Sequence, residues 1–529
     1  MSEKMASKAN LVNLDAMIAR EDFLVKADND MSFESIQNIA MRDMAMLTGL
    51  LRKPDFQRET NHWTPEQVVS LLESFVTGDL IPSVILWKSS YIFVIDGGHR
   101  LSVLRAWKED DYGDGLISQS FFGGNISEEQ KKIANKTRKL VNETVGQWDE
   151  IEKKIQNPNS MSQDETRRLT NIYVRALQIQ WVKGDAEKAE TSFFNINKKG
   201  TPLDEVEELL LRNRKKPISI AARAIIRAGK GHKYWSSFSE DKVKKIEEKS
   251  LKLSSALFSP DVNSKIKTLD LPLGGSRGVR VALDILIELI SIAITRSNKY
   301  QNELTNQIDD QSGEETYLAL EKTLKLINWI TGNDKGSLGL HPVIYFYNSS
   351  GRHINPMFLG TLLVIAKQLK FNNKNFFREL TSIRSSLEKT LIENKQLISS
   401  LVNRESHKKR VIFYSEFLGS MIDLLLEKSK KSKNSSLNDE EIISLSHFEG
   451  DVLTGSRLTR GKKISESTKH TVFIKTALTS ALVCPICNGY IDSSKSISYD
   501  HKIRVKDGGV GSIANTQITH PYCNMSIKN

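Results

Sequence analysis

The sequence predicts a multidomain α+β protein. Its 529 residues exceed one ordinary domain of roughly 150 residues, and the 39% hydrophobic content suffices for several cores. Strand and helix patterns alternate near the front, helical periodicity fills the middle, and paired cysteine and histidine residues close the chain. We therefore expect an α+β domain at 30–215, a helical domain at 216–427, a basic flexible linker at 428–463 and a metal-stapled module at 464–529.

The most informative stretch of the front domain joins a strand pattern to a helix pattern through two glycines. The apolar run 91–96 is followed by Gly97-Gly98 and then by helical spacing over 101–107. Glycines let the backbone approach an anion, a helix N-terminus presents unpaired N–H groups, and Arg100 adds a cation. The stretch is thus a candidate phosphate cradle, although a plain chain reversal also explains a Gly-Gly turn.

Three further pieces flank this stretch. Phe56-Gln57-Arg58 lies upstream, Thr64 with Pro65 and Gln67 begins a helix, and the stretch 193–203 lies downstream. In this order the pieces resemble the ParB-like, sulfiredoxin-related domain with a D-G-Q-H/Q-R signature, found in GmrS-type restriction subunits and other phage-defence proteins. The resemblance covers about residues 30 to 215.

That resemblance implies nucleotide binding and hydrolysis. The implied nucleotide-site residues are Gln57, Arg58, Asp96, Gly97, Gly98, His99 and Arg100. Gly98 stands where the family often has Gln, so the identity of the nucleotide triphosphate and its hydrolysis stay open. His99 as a structural turn residue also stays open. Sulfiredoxin chemistry is excluded because the domain contains no cysteine.

The middle of the chain shows amphipathic helical patterns that are typical of a core rather than of a cofactor site. Helices are predicted at 281–294, 317–330, 355–370 and 404–426. The longest apolar run, 279–295, carries Arg280, Asp284 and Glu288, and this predicts a buried helix instead of a membrane span. The Lys- and Ser-rich stretch 428–436 predicts a flexible joint, and a short helix is predicted at 466–482.

All three cysteines lie near the end of the chain, in Cys484-Pro-Ile-Cys487 and His520-Pro-Tyr-Cys523. Two ligand pairs, each with two residues between, predict a tetrahedral structural zinc site of three thiolates and one imidazole. An odd number of cysteines disfavours disulfides. The run 496–499 predicts a strand that precedes Asp500-His501.

The order C-x-x-C, Asp500-His501, Gly508-Gly509, Asn515, then His520-x-x-Cys523-Asn524 resembles the HNH endonucleases, or ββα-metal nucleases. His520 replaces the third cysteine of that pattern. The resemblance covers roughly the final tenth of the chain. It implies that His501 is the general base, that Asp500 and Asn524 bind catalytic Mg²⁺ or Mn²⁺, and that Asn515 orients the His501 ring.

These patterns predict a nucleotide-regulated, metal-dependent DNA endonuclease or nickase of bacterial anti-phage defence, similar to type IV restriction, with modified phage DNA as a candidate signal. The formal net charge of +11 fits a phosphate-bearing partner. A nucleotide-switched DNA-binding protein whose zinc knuckle does not cut, and a toxin-like nonspecific nuclease, are the alternatives. We expect a cytoplasmic protein that binds no membrane, and the sequence leaves its oligomeric state open.

Overall fold

The structure is a computed structural model. It describes residues 11–21, 36–54, 63–157, 161–199, 205–230, 233–261, 266–275, 279–431, 436–448 and 464–528. The chain divides into two compact units. The first comprises Met1–Arg214 with Lys230–Tyr234, and the second comprises Lys215–Gly229 with Trp235–Asn529. The segments predicted as a helical domain and as a terminal module therefore share the second unit.

The first unit is built on a six-stranded mixed sheet with the order β1-β3-β5-β4-β6-β2. Its strands are β1 (Arg20–Glu21), β2 (Asn38–Ala40), β3 (Leu51–Pro54), β4 (Val84–Lys88), β5 (Ile92–Asp96) and β6 (Ala176–Val182). Strands β1, β3 and β5 are parallel, so their carboxyl ends lie at one edge. Strand β4 runs antiparallel to β5, and this brings the start of β4 to the same edge.

Helices surround this sheet. They are α1 (Met44–Leu47), α2 (Pro65–Thr77), α3 (Gly98–Glu109), α4 (Leu116–Phe121), α5 (Glu128–Thr144), α6 (Trp148–Gln156), α7 (Gln163–Val174), α8 (Ala186–Lys199) and α9 (Glu205–Arg212). The larger core includes Leu72 of α2, Leu101 of α3 and Val94 of β5. A smaller core joins Phe93 of β5 to Phe193 of α8. Since Phe93 and Val94 are neighbours in a strand, they face opposite sides of the sheet, and each side is covered by its own core.

The capping box predicted at the start of α2 is present. Thr64 accepts a hydrogen bond from the backbone N–H of Gln67, and the Gln67 side chain accepts one from the N–H of Thr64. Pro65 occupies the first helical position, where its missing N–H costs nothing.

The second unit is mostly helical. Its helices are α10 (Pro217–Ile226), α11 (Glu240–Phe258), α12 (Val279–Thr295), α13 (Glu303–Asn306), α14 (Glu314–Ile330), α15 (Pro342–Tyr345), α16 (Asn355–Lys370), α17 (Lys374–Ser382), α18 (Arg384–Glu393), α19 (Lys395–Arg404), α20 (Arg410–Lys431), α21 (Asp439–Ser444) and α22 (Glu466–Thr479). In the part of the chain that the structure describes, none of the helices combines the length and the apolar character needed to cross a membrane.

The predicted helices are present, with shifted ends. The last predicted helix of the middle segment begins at Arg410 rather than at 404, and it continues to Lys431. The beginning of the stretch predicted as a flexible joint is therefore helical. Lys428 of this helix forms an ion pair of 2.8 Å with Glu441 of α21. Residues 432–435 and 449–463 of the predicted linker lie outside the described residues.

The end of the chain forms a small module with a hairpin and a terminal helix. Strand β7 (Ser498–His501) pairs antiparallel with β8 (Thr516–Thr519), with Asp500 opposite Gln517. A π-helical segment, Cys523–Lys528, follows. The strand predicted at 496–499 is thus displaced by two residues, so that Asp500 and His501 lie within the strand itself.

This terminal module packs directly on the helical part of the second unit. The backbone N–H of Tyr522 donates to the carbonyl of Ser337 at 2.9 Å. The Lys495 ammonium pairs with Asp270 at 2.5 Å. The side chain of Ser496 accepts a hydrogen bond from the N–H of Gly332 at 3.0 Å. The sequence predicted a module tethered through a flexible joint, whereas the described residues place it in a docked position.

Candidate functional site

The four predicted zinc ligands come together. Cys484, Cys487, His520 and Cys523 are all buried, and their ligand atoms lie within 4.8 Å of one another. The turn 484–487 supplies two thiols, while the end of β8 and the start of the terminal helix supply the imidazole and the third thiol. A set of three thiols and one imidazole at this spacing fits a tetrahedral zinc ion.

The hydrogen bonds of His520 place its two ring nitrogens in different roles. Nε2 lies 3.0 Å from the carbonyl oxygen of Tyr490 and must donate its proton there. Nδ1 lies 3.4 Å from Sγ of Cys487 and 3.9 Å from Sγ of Cys523. Holding the proton on Nε2 leaves the lone pair of Nδ1 directed at the thiols, as a metal ligand requires.

The electrostatics of the cluster act differently on the imidazole and on the three thiols. Burial, reinforced by the nearby Arg384 guanidinium, lowers the pKa of His520, which keeps the imidazole neutral. Hydrogen bonds from Cys487 and Cys523 lower the pKa of the Cys484 thiol, while their hydrogen bonds with Cys484 raise the pKa of the Cys487 and Cys523 thiols. A zinc ion bound there would have a neutral imidazole and one acidic thiol as ligands, and it would displace the protons of the two other thiols.

Arg384 and Glu388 of α18 support the cluster from the helical side. Nε of Arg384 pairs with Oε1 of Glu388 at 2.8 Å, and both side chains are almost fully buried. Oε2 of Glu388 accepts the backbone N–H of Tyr490 at 2.7 Å. The carbonyl of that same Tyr490 receives the His520 proton, so α18 is linked to a metal ligand through one residue.

The candidate catalytic residues lie on the hairpin, with Asp500 and His501 on opposite sides of β7. Asp500 is buried and Tyr499 is exposed, while His501 is half-buried and shares the outward side with Tyr499. Oδ2 of Asp500 accepts hydrogen bonds from Gln517 at 2.8 Å and from the Lys528 ammonium at 2.7 Å. Oδ1 is therefore the oxygen through which Asp500 would bind a cation.

Asn524 lies beside the buried side of the same strand. Its Nδ2 donates to the hydroxyl of Ser498 at 2.8 Å and to the carbonyl of Tyr499 at 3.0 Å. Because the amide nitrogen binds the strand, a cation would be bound by the amide oxygen. Carboxylate and amide oxygens are the donors that Mg²⁺ prefers, so the two side chains fit the predicted ion by their chemistry.

Asn515, which the resemblance implies orients the His501 ring, forms its side-chain hydrogen bonds with the loop that follows His501. Its Nδ2 donates to the carbonyls of Ile503 at 3.0 Å and Val510 at 2.9 Å, and its Oδ1 accepts the N–H of Ile503 at 2.8 Å. These bonds hold the loop that follows His501. The predicted contact with the His501 ring is replaced by support of the backbone next to it.

The candidate nucleotide site lies at the carboxyl end of β5. Asp96 ends the strand, Gly97 has a φ of 91°, and α3 begins at Gly98. A Cβ on Gly97 would come within 3.0 Å of Val84, so both the backbone conformation and the space favour glycine there. Arg100 pairs with Asp96 at 2.7 Å and donates to the carbonyl of Ser83 at 3.2 Å.

His99 stacks on Trp63, with ring centroids 5.6 Å apart and planes inclined by 24°. Asp96, Gly97, Gly98, His99 and Arg100 form one continuous strand-turn-helix segment. The remaining two candidates, Gln57 and Arg58, lie outside the described residues.

Sequence reasoning missed a buried ionic cluster in the same sheet. Asp15 accepts hydrogen bonds from Arg20 of β1 at 2.8 Å and from Lys53 of β3 at 3.2 Å. Both cationic side chains are fully buried. A charged residue in a short strand does not by itself indicate a buried ion pair. Arg20 comes to lie opposite Lys53 only because β1 pairs with β3.

Comparison with known proteins adds one family. Residues 37–214 match the family described as GmrSD restriction endonuclease, N-terminal domain. Searches of curated proteins and of solved structures each found no match. The matched segment lies within the predicted front domain, and it supports a restriction-type nuclease of phage defence of the GmrSD kind, with DNA as substrate.

Proposed function

We propose that this chain is a metal-dependent DNA endonuclease or nickase of the HNH type, regulated by a nucleotide bound in a ParB-like front domain. The observation that carries the proposal is the terminal module, in which one short segment contains the Cys₃His cluster together with Asp500 and His501 in β7 and Asn524 in the terminal helix. The match of residues 37–214 to a restriction endonuclease family supports a role in phage defence.

In the proposed reaction, His501 accepts a proton from the water that attacks the scissile phosphate. Oδ1 of Asp500 and the amide oxygen of Asn524 would hold the divalent cation. When bound there, Mg²⁺ or Mn²⁺ would polarise the phosphate and stabilise the departing oxygen. Gln517 and Lys528 keep the Asp500 carboxylate oriented through its other oxygen, and zinc in the Cys₃His cluster keeps the module folded.

The front domain is proposed to bind a nucleotide triphosphate at the turn from β5 to α3. The N–H groups at the start of this 12-residue helix would receive phosphate oxygens. Arg100 now pairs with Asp96, so a bound phosphate would compete for its guanidinium. Gln57 and Arg58 complete the proposed set.

We further propose that the nucleotide state controls cleavage, so that host DNA is spared until phage DNA, with modified bases as one candidate signal, is sensed. Control by holding or releasing a freely tethered module is disfavoured by the docked contacts of Tyr522 and Lys495. Control of the cleavage step or of DNA access to a docked module is the form that these contacts favour.

The test is cleavage of supercoiled phage DNA, modified and unmodified, with Mg²⁺ or Mn²⁺ and with or without nucleotide. We expect metal-dependent nicking by the parent protein and its loss in His501→Ala. His407→Ala changes an exposed histidine of the same unit and should cut as the parent does. Absence of cutting by zinc-loaded parent protein under every condition would favour the non-cutting DNA-binding alternative.

The regulatory part is tested with Asp96→Ala. This substitution removes the carboxylate that ends β5, and we expect weaker nucleotide binding in calorimetry together with loss of the nucleotide effect on cleavage. Asp149→Asn, at an exposed position of α6, is the control. Equal cleavage of modified and unmodified DNA by parent and Asp96→Ala, with or without nucleotide, would exclude the regulation.

A further inference from the structure

The loop between β7 and β8 exposes an unusual number of apolar side chains. Ile503, Val505 and Val510 are 58%, 67% and 67% exposed, and Ile513 is 98% exposed. Scattered exposed aliphatic residues are ordinary, but four on one short loop form an apolar patch of the kind that marks an interaction surface. We call the segment 502–514 the hairpin loop.

The hairpin loop is held in one conformation by its own hydrogen bonds. Both amide hydrogens of Asn515 bind its carbonyls, at Ile503 and Val510, and this draws the two ends of the loop together. The N–H of Gly509 donates to the carbonyl of Arg504 at 3.0 Å, and the Lys502 ammonium donates to the carbonyl of Ala514 at 2.8 Å. A preformed loop loses little conformational entropy when it binds a partner.

The charge of the loop indicates the kind of partner. Lys502, Arg504 and Lys506 lie between the apolar residues, and Asp507, the one acidic residue of this fully described loop, is paired with Arg504 at 3.0 Å. The exposed side chains of Lys502 and Lys506 therefore complement a polyanion. Aliphatic tips between cations are the composition with which proteins enter the minor groove and separate base steps.

The position of the loop identifies the same partner. It starts at the residue after His501, and a strand rises about 3.3 Å per residue, so Ile503 lies within about 10 Å of the proposed base. A duplex whose phosphate reaches His501 would therefore approach this loop. Tyr499, 69% exposed on the same side of β7 as His501, extends the surface on the other side of the base.

We propose that the hairpin loop is the DNA-reading element of the module: Lys502 and Lys506 contact phosphates of both strands, and Ile503, Val510 and Ile513 insert into the minor groove of duplex DNA beside the scissile phosphate. This inference rests on the proposed function, because it places the substrate of that same site. It adds that recognition includes local deformation of the duplex.

The first experiment measures DNA binding in the His501→Ala protein, in which the duplex stays intact. We expect the added triple substitution Ile503→Ser, Val510→Ser and Ile513→Ser to weaken binding to a short duplex at least about tenfold, since three aliphatic side chains would no longer be buried against the DNA. Ile308→Ser and Phe371→Ser change exposed apolar residues elsewhere in the second unit and should leave binding unchanged.

A second readout separates insertion from simple contact. A 2-aminopurine placed in the duplex should brighten on binding of the His501→Ala protein and stay quenched with the triple variant. The Lys502→Gln, Lys506→Gln protein should lower the slope of log K against log salt by about two. Lys502→Gln removes the bond of the Lys502 ammonium to Ala514, but the bonds made by Asn515 and by the loop backbone stay, so zinc content and circular dichroism should match the parent.

The outcomes distinguish this inference from the proposed function. If the triple variant binds DNA as tightly as the His501→Ala protein does, the inference is wrong, even if the wild-type chain cuts DNA. Loop-dependent binding without any cleavage by the wild-type chain supports the inference and removes the proposed activity. If the triple substitution changes only self-association in sedimentation, the loop is an interface between two copies of the chain and the inference is wrong.

Discussion

Asn515 illustrates how burial decides the role of a single side chain. A buried amide must satisfy both of its N–H groups, and those of Asn515 bind the carbonyls of Ile503 and Val510. The pattern in the sequence identified Asn515 as a site residue, and the structure assigns its bonds to the loop after His501. Its influence on the proposed base is therefore exerted through the backbone.

The burial of Lys395 predicts that the stability of the protein depends on pH. Its ammonium is buried and donates to the carbonyl of Val343, and burial lowers its pKa to about 7. The unfolded chain thus binds the proton more tightly than the folded chain between about pH 7 and the usual lysine pKa of about 10.4. Stability contributed by this residue is present at high pH and is lost as the pH falls through this window.

We expect Lys395→Met to raise the thermal unfolding midpoint of the full chain at pH 7 by several degrees, and to change it less at pH 9.5. The substitution replaces a buried cation with an apolar side chain of similar length. Lys389→Met, at an exposed position of α18, is the control. The same shift at both pH values would show that the lysine is not titrating in this range.

At the scale of elements, α18 connects the helical part of the second unit to the terminal module. Arg384 and Glu388 are one turn apart on it, and their buried pair touches both parts. The guanidinium also donates to the carbonyl of Gly339 at 2.8 Å, and a Cβ on Gly489 of the module would come within 2.6 Å of Nε of Arg384. This close approach explains why a glycine is favoured at position 489.

Arg384→Ala removes one partner of this buried pair and leaves the Glu388 carboxylate uncompensated. We expect a loss of about 3–5 kcal/mol of stability and faster release of zinc to a chelator, because the Tyr490 segment that orients His520 loses its support. The measurements are chemical unfolding and zinc release followed with a metal indicator dye.

Arg378→Ala on α17, where the arginine is exposed, provides the matched control for that experiment. A loss of stability in Arg384→Ala without faster zinc release would show only that Arg384 is structural. Zinc release that is unchanged in folded Arg384→Ala protein would exclude the connection to the metal centre.

At the scale of the whole molecule, the terminal module lacks an extensive apolar core of its own. Its fully buried cluster consists of the three cysteines and Ile491. A segment with so little apolar burial needs metal ligation or docking to stay folded. Docking on α18 and metal in the Cys₃His cluster are therefore expected to act together.

We expect one zinc per chain, and we expect its removal by a chelator to make the region after residue 464 sensitive to protease before the front unit is attacked. Structural zinc sites contribute directly to folding free energy. Cys487→Ser should behave as the chelated protein does. Restoration by Zn²⁺ but not by Mg²⁺ is the control, and an unchanged digestion pattern after complete removal of zinc would contradict the prediction.

Local patterns in the sequence were sufficient for the α+β class, for the helices of the middle segment and for the grouping of Cys484, Cys487, His520 and Cys523. Each of these depends on short-range features: apolar periodicity, capping residues and a fixed spacing of ligands. The match of residues 37–214 to a restriction endonuclease family agrees with the resemblance to restriction subunits that was inferred from the Asp96–Arg100 signature.

Only the tertiary structure decided the ionic cluster of Asp15 with Arg20 and Lys53, the contact of α18 with the metal centre and the docking of the terminal module. These features join residues far apart in the chain, and side-chain burial, which determines their energetics, depends on what packs against them. The sequence by itself determined which four residues form the cluster that can hold a metal. The fold determined which side chains support them, because long-range packing leaves no local pattern to read.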